Sequence, residues 1–259
     1  MTHRPRKRFG QHFLHDPGVI RRVVDAVNPS PGDHLVEIGP GRGILTRPLL
    51  ATGTTLTVIE LDRDLAARLA ELPEAGGRLT VVQGDALQAD LAHYAPPGVR
   101  LRLVGNLPYN VSTPLLFHLL RQAGHIRDMH FMLQKEVVAR MAAAPGGREY
   151  GRLTVMLAMA CQVEPLFNVG PGAFHPPPKV WSSVVRLTPW SEPPVPLPDP
   201  ARFAELVRRA FSARRKTLRN ALAGFVPEDV MRAAGVDPGV RAETLEPAAF
   251  ARLAALPAR

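Results

Sequence analysis

The stretch His34-Leu35-Val36-Glu37-Ile38 runs directly into Gly39-Pro40-Gly41-Arg42-Gly43, and Ile44 to Leu50 then opens a helix. Strand, glycine-rich turn and helix together make a nucleotide-binding βα unit. The surrounding chain repeats the strand–helix alternation. Thr55–Glu60, Leu79–Gln83, Leu101–Val104 and Asp128–Leu133 read as further strands. Helical apolar spacing fills the intervals over Asp64–Leu72 and Thr113–Gln122, and again over Lys135–Ala144. An earlier helix is expected over Pro17–Val27, with Asp16 as its N-cap and Pro17 in its first turn. Leu153–Phe167 reads as a helix breaking into a strand, and Val180–Leu187 as a late antiparallel strand. This order predicts an α/β fold built on a mostly parallel, doubly wound sheet. The proline-rich run Ser191–Pro200 reads as a linker. The expected organisation is therefore residues 1–190 as an α/β domain, 191–200 as the linker and 201–259 as a small all-α domain.

The chain has 259 residues and a formal net charge of +9, which points to a polyanionic partner unless it only reflects a basic proteome. Two segments concentrate the charge. Arg4, Arg6, Lys7 and Arg8 form a basic N-terminal arm without an acid. Further on, Val207, Phe211, Leu218 and Leu222 share one face of an expected helix. Arg208, Arg209, Arg214, Arg215, Lys216 and Arg219 crowd that same helix. Either it is a solvated face or it touches phosphates; like charges at helical neighbour spacings cost stability, which favours phosphate. The single cysteine, Cys161, excludes an internal disulfide and an all-cysteine metal site, and its apolar surroundings read as core. The basic N-terminus lacks the apolar region of a signal peptide, and no apolar run is long enough to span a bilayer. The expected setting is the reducing cytoplasm, with no membrane partner and no metal.

Two features carry chemistry. In the glycine turn the spacing is G-x-G-x-G rather than the dinucleotide G-x-G-x-x-G, and Pro40 removes an N–H that a pyrophosphate would need. A cofactor with a ribose and an adenine but no phosphate, S-adenosylmethionine, fits better. Glu60 ends the second strand of the alternation, where it can accept from the ribose hydroxyls, and Asp85 follows the third, where it can accept from the adenine amine. Helix capping is the alternative role for each acid. The second feature is Gly105-Asn106-Leu107-Pro108-Tyr109-Asn110, directly after a buried strand. Ligands of open α/β sheets bind beyond the carboxyl ends of the strands. There the Asn106 amide oxygen and a backbone carbonyl can accept both N–H bonds of an exocyclic amine while Tyr109 stacks on the base. A Pro turn with a capping Asn and a packed Tyr is the bland alternative.

Taken in order, Phe9–Leu14, Glu37–Thr46 (EIGPGRGILT), Glu60, Gly84-Asp85, Asn106–Ser112 (NLPYNVS), Phe174–Lys179 (FHPPPK) and Phe211–Leu222 (FSARRKTLRNAL) resemble the motif series of the rRNA adenine N6-dimethyltransferases. The likeness spans essentially the whole chain and is strongest to the bacterial small-subunit group. It implies a Rossmann-like class I methyltransferase domain with a seven-stranded sheet, followed by a helical RNA-binding domain. It implies that two adjacent adenosines in a hairpin loop near the 3′ end of small-subunit (16S) rRNA are each methylated twice on N6. The cofactor is then S-adenosylmethionine, and the partner of a monomeric enzyme is the small ribosomal subunit or its precursor. Implied cofactor contacts are Gln11, His12, Leu14, Gly39, Gly41 and Gly43, with Glu60, Asp85, Ala86 and Asn106. Relatives often carry Asn where this chain has His12, so the shared contact there is through the backbone. The implied catalytic loop is Asn106, Leu107, Pro108 and Tyr109, with Tyr109 and Phe174 stacking on the base. RNA contacts fall to Arg6, Lys7, Arg8 and Lys179, and to Arg208, Arg214, Arg215, Lys216 and Arg219. No catalytic His or Cys is expected.

Three rivals stand beside this reading. A large-subunit rRNA methyltransferase would share the motifs, whereas DNA adenine methyltransferases more often place Pro where Leu107 stands. A non-catalytic RNA-binding assembly factor could retain the fold. A dehydrogenase is disfavoured by Pro40.

Overall fold

In the computed structural model, which describes residues 12–109 and 111–256, the chain forms two compact units. The first comprises residues 1–138 and 164–189, the second residues 139–163 and 190–259. Strand β1 (Phe13–Leu14) precedes helix α1 (Pro17–Val27), where the Asp16 carboxylate accepts from the Val19 N–H at 2.9 Å as the expected N-cap. The alternation then follows as β2 (His34–Ile38), α2 (Thr46–Ala51), β3 (Thr55–Glu60), α3 (Arg63–Ala70) and β4 (Leu79–Gln83). Next come β5 (Leu101–Asn106), α4 (Ser112–Leu120), β6 (Ile126–Gln134), α5 (Lys135–Met141) and α6 (Arg152–Ala160). The last strands are β7 (Cys161–Val169), β8 (Phe174–His175) and β9 (Ser182–Pro189).

Seven of the strands form one sheet in the order β4-β3-β2-β5-β6-β9-β7. Pairing is parallel from β4 through β6, and β9 runs antiparallel to β6. The chain leaves β2 towards β3 and β4 on one side and returns to β5 and β6 on the other. The order therefore reverses between β2 and β5, which is where an open α/β sheet binds its ligand. Pro165 lies within β7, an edge strand, where a missing ladder donor is tolerated. Leu35, Leu56, Val58 and Val104 from the sheet pack against Val23 and Val27 of α1 and Leu49 and Leu50 of α2. At the opposite edge from the ligand rim, buried Arg102 bridges Asp33 at 2.8 Å and Asp128 at 3.0 Å, and donates to the Val27 and Asn28 carbonyls. It ties the starts of β2, β5 and β6 together; losing one partner of such a buried pair costs about 3–5 kcal/mol.

The second unit adds α7 (Pro200–Ala210), α8 (Leu218–Ala221), α9 (Glu228–Ala233) and α10 (Pro247–Ala255). Its core joins Phe203, Leu206 and Val207 of α7 to Phe250 and Leu253 of α10, and to Tyr150, Val155 and Met159. Here the structure departs from the expected boundary at residue 190. Residues 139–163 cluster with the C-terminal helices because their apolar side chains are buried there. The expected single helix carrying Val207 through Leu222 is also interrupted. α7 ends at Ala210, and residues 211–217 turn before α8. Long-range backbone bonds hold that turn: Leu218 donates to Val240 at 2.8 Å and Arg219 to Pro238 at 3.0 Å. Cys161 is a buried free thiol, pushed up to about 12 by burial, and it behaves as core.

Candidate active site

A cavity of about 470 Å³ opens at the carboxyl ends of β2, β3 and β5, within the 300–1,000 Å³ range of ligand sites. Its wall is assembled from the glycine turn, the loop after β4, the Asn106 loop and the segment around β1. The Gly39 N–H donates to the Ile59 carbonyl at 3.0 Å, which fastens the turn to the end of β3. Gly41 holds φ +57°, and a Cβ there would meet the Phe13 ring at 3.1 Å, so glycine is needed on both counts. Gly43, expected at the cofactor, is not part of the cavity wall. A Cβ there would meet Leu69 Cδ2 at 3.0 Å, so its role is to let the turn pack against α3.

Glu60 reaches the cavity from the end of β3. Its Oε2 accepts from the Gly41 N–H at 3.0 Å and its Oε1 from the Asp62 N–H at 2.9 Å. Backbone N–H donors orient the carboxylate, whose two oxygens offer about four lone-pair sites in all, so it can still accept from a diol. Burial raises its pKa, against the lowering effect of these backbone bonds. Asp85 caps a short turn, accepting from the Leu87 N–H at 2.9 Å, and remains exposed along the wall beside Ala86. Asp85 combines capping with a place on the cavity wall, whereas α3 is capped by Asp62, so Glu60 is not a helix cap. Glu37 also lines the cavity. It is 2% exposed, accepts from Thr46 Oγ1 at 2.6 Å, and is pushed up to about 8, chiefly by burial. Sequence reasoning assigned it no role; the available signal was an acid inside an otherwise apolar strand.

The Asn106 loop crosses the rim of β5. Asn106 Nδ2 donates to the His12 carbonyl at 3.0 Å, and a carbonyl can accept only from nitrogen, so the amide orientation is fixed. Oδ1 is therefore left as an acceptor at the rim. The Leu107 N–H donates to the Met132 carbonyl at 3.1 Å, which pins the next peptide to β6. Gly105 explains the residue before Asn106: an ideal Cβ would lie 2.5 Å from the Ile38 carbonyl oxygen on β2. Tyr109 is held at both ends, its hydroxyl 2.6 Å from Ser182 Oγ and its ring stacked on His12 at 5.7 Å. His12 in turn hydrogen-bonds the Pro176 carbonyl through Nδ1 at 2.8 Å. Leu14 is buried beside the cavity in the β1–β8 ribbon, paired with Phe174.

That pairing corrects the expectation for Phe174. Its side chain is 2% exposed in the core and does not line the cavity, so it is not presented to a base here. His175, its neighbour on the ribbon, lines the cavity instead. The arginine run, which has no acid within it, finds acidic partners from outside it. Arg208 and Arg209 both pair with Glu205, at 2.7 and 2.6 Å, and pull its carboxyl down to about 2. Arg214 pairs with Glu243 at 3.1 Å and Arg219 with Glu228 at 2.8 Å. These acids come from positions before or well after the arginine run, which is why the local sequence looked unbalanced. Arg215 and Lys216 are exposed on the turn, and Lys179 is exposed in the first unit. Gln11, Arg6, Lys7 and Arg8 lie outside the described residues. Among the described residues, no helix is long and apolar enough to cross a membrane, and no group of three or more acidic, His or Cys residues is placed to hold a metal.

The family described as Ribosomal RNA adenine dimethylase matches residues 2–258. A Pseudomonas aeruginosa protein named Ribosomal RNA small subunit methyltransferase A is 57% identical over 252 residues, covering 97% of this chain and 94% of that one. A Methylococcus capsulatus protein of the same name is 57% identical over 256 residues, covering 98% of each. Among solved structures, a dimethyladenosine transferase from Plasmodium falciparum superposes with a TM-score of 0.80 at 28% identity, covering 93% of this chain and 96% of that one. The 23S rRNA methyltransferase ErmE superposes with a TM-score of 0.71, also at 28% identity, covering 93% and 98%. With the glycine turn, the oriented Glu60 and the pinned Asn106 amide in one cavity, and a family match over nearly its full length, the chain belongs to the ribosomal RNA adenine dimethylase family.

Proposed function

We propose that this chain transfers methyl groups from S-adenosylmethionine to N6 of two adjacent adenosines in a hairpin loop near the 3′ end of small-subunit rRNA. The products are N6,N6-dimethyladenosines, formed in the cytoplasm on the small subunit or its precursor. The observation that carries the reading is the Asn106 amide, whose nitrogen is engaged by His12 and whose oxygen is left as an acceptor at the sheet rim. The names of the relatives from Pseudomonas aeruginosa and Methylococcus capsulatus favour the small subunit.

The cavity fits the cofactor. Glu60 presents oriented acceptors for the ribose diol, Asp85 an exposed acceptor for the adenine amine, and Gly41 the space that a Cβ would take. When bound, the cofactor supplies an electrophilic methyl on a positively charged sulfur. An adenine amine is a weak nucleophile because its lone pair is delocalised into the ring. Asn106 Oδ1 and the Leu107 carbonyl accept hydrogen bonds from its two N–H groups, raise electron density on N6 and stabilise the positive charge that develops there, and once the methyl is on N6 the surplus proton passes to solvent. Tyr109, backed on one face by His12 and tethered by Ser182, offers its other face to the base. Catalysis is then positioning plus fixed dipoles. The base must leave its stack, at a cost of a few kcal/mol that is smallest in a loop. The monomethylated product still has one N–H, so the second transfer proceeds with one acceptor idle. Arg215, Lys216 and Lys179, with the basic arm, hold the RNA backbone.

The test is methyl transfer from labelled S-adenosylmethionine to unmethylated small subunits, with large subunits and naked rRNA in parallel, followed by nucleoside analysis. Dimethyladenosine on the small subunit is expected. Label confined to the large subunit would instead support the activity that the likeness to ErmE suggests.

A further inference from the structure

Trp181 is 54% exposed, the most exposed large apolar side chain among the described residues. A single exposed hydrophobic residue needs no explanation by itself, but the setting of this one is specific. Its carbonyl accepts from the Lys135 N–H at 2.9 Å, and Ser182 after it is already paired with Gln134 of β6, so the backbone presenting the indole is fixed. The Lys135 ammonium lies 5.9 Å from the ring centroid, within cation–π range. Gly170 runs along the ring edge, where a Cβ would meet Cη2 at 3.7 Å, and Lys179 is exposed two residues back. Ser182, the next residue, holds the Tyr109 hydroxyl at 2.6 Å. An exposed aromatic platform, with one lysine at its ring and another exposed two residues earlier, therefore adjoins Ser182, the residue that tethers Tyr109.

We propose that Trp181, with Lys135 and Lys179, is a binding site for the single-stranded nucleotide next to the target adenosine. The indole stacks on that base while the two ammonium groups meet its phosphates. Aromatic stacking is tolerant of base identity, and lysines contact phosphate as point charges, so the chemistry suits an unpaired RNA strand. The inference rests on the proposed rRNA activity. Within that activity it gives the second adenosine of the pair a place to wait while the first is methylated.

The test uses the full-length protein and unmethylated small subunits. Trp181→Ala should raise the KM for subunits roughly five- to hundredfold with little change in kcat, as loss of one stacked base implies. Trp181→Phe should recover most of the loss, and cofactor affinity should not move in either variant. Lys135→Ala should reduce the salt dependence of RNA binding by about one counterion. Trp190 is the only other tryptophan in the chain, so Trp190→Phe leaves Trp181 as the sole indole. Its fluorescence should be quenched by the loop hairpin, and less so by a hairpin abasic at the neighbouring nucleotide. An unchanged KM in Trp181→Ala overturns the proposal. So does a raised KM without quenching by the hairpin, which would assign the ring to a ribosomal protein. If the wild-type chain methylates no rRNA, it is the activity itself that fails.

Discussion

Replacing Gly105 by Ala tests whether the spacing between two loops sets the rate. Gly105 lies on β5 beside the end of β2, and its ideal Cβ would fall 2.5 Å from the Ile38 carbonyl oxygen and 3.2 Å from Leu107 Cδ2. Side-chain Cβ atoms essentially never approach closer than 3.0 Å, so the strands must separate by about half an ångström or more. The nearer atom is backbone and cannot swing away. Ile38 leads into Gly39 and the cofactor turn, while Gly105 leads into Asn106. The displacement is therefore transmitted to both halves of the site at once. Overpacking of this kind costs about 1–3 kcal/mol, which for a chain of this size lowers Tm by roughly 2–4 °C per kcal/mol. A misplacement approaching 1 Å at the reacting atoms costs about 10²-fold in rate. Gly105→Ala should thus fold, melt several degrees lower and lose about one to two orders of magnitude in kcat, read by methyl transfer and thermal melting on the same preparation. Wild-type kcat with wild-type Tm would refute the reasoning.

Glu37 has a folded pKa of about 8 against an ordinary value of 4.5. A raised carboxyl pKa contributes stability that is complete below about pH 4.5 and is lost as the pH rises through 8. Relative to Glu37→Gln, the wild type should therefore lose a few kcal/mol across that window in denaturant titrations; parallel curves would rule out the buried titration. Replacing both Arg215 and Lys216 by Ala should weaken RNA binding uniformly and reduce the slope of log K against log salt by roughly 0.7–0.9 per charge removed. An unchanged slope would place the RNA contact elsewhere.

The sheet was legible because β2, β3 and β4 are short apolar runs separated by helical patterns, and α1 carries its own cap and proline. What escaped was decided by contacts distant in sequence. Nothing local marks the break after Ala210, since residues 211–217 contain neither Gly nor Pro; the turn is held by Val240 and Pro238. Residues 139–163 look like part of the alternation, yet Tyr150, Val155 and Met159 are buried with Phe203 and Phe250. Phe174 sits in a motif at the rim, but its pairing with Leu14, 160 residues earlier, turns its ring into the core. The arginine run looked unpaired because Glu228 and Glu243 lie beyond its window. Of the expected site, Asn106, Tyr109, Glu60, Asp85 and His12 are brought to one cavity, while Gly43 and Phe174 are not.

The central claim is that the Asn106 amide oxygen, held by its bond to His12, activates the target amine. Asn106→Ala should keep most of its S-adenosylmethionine affinity, by calorimetry, weakened by no more than the loss of one contact, and lose methyl transfer to small subunits by orders of magnitude. Near-wild-type turnover in that variant would contradict the account.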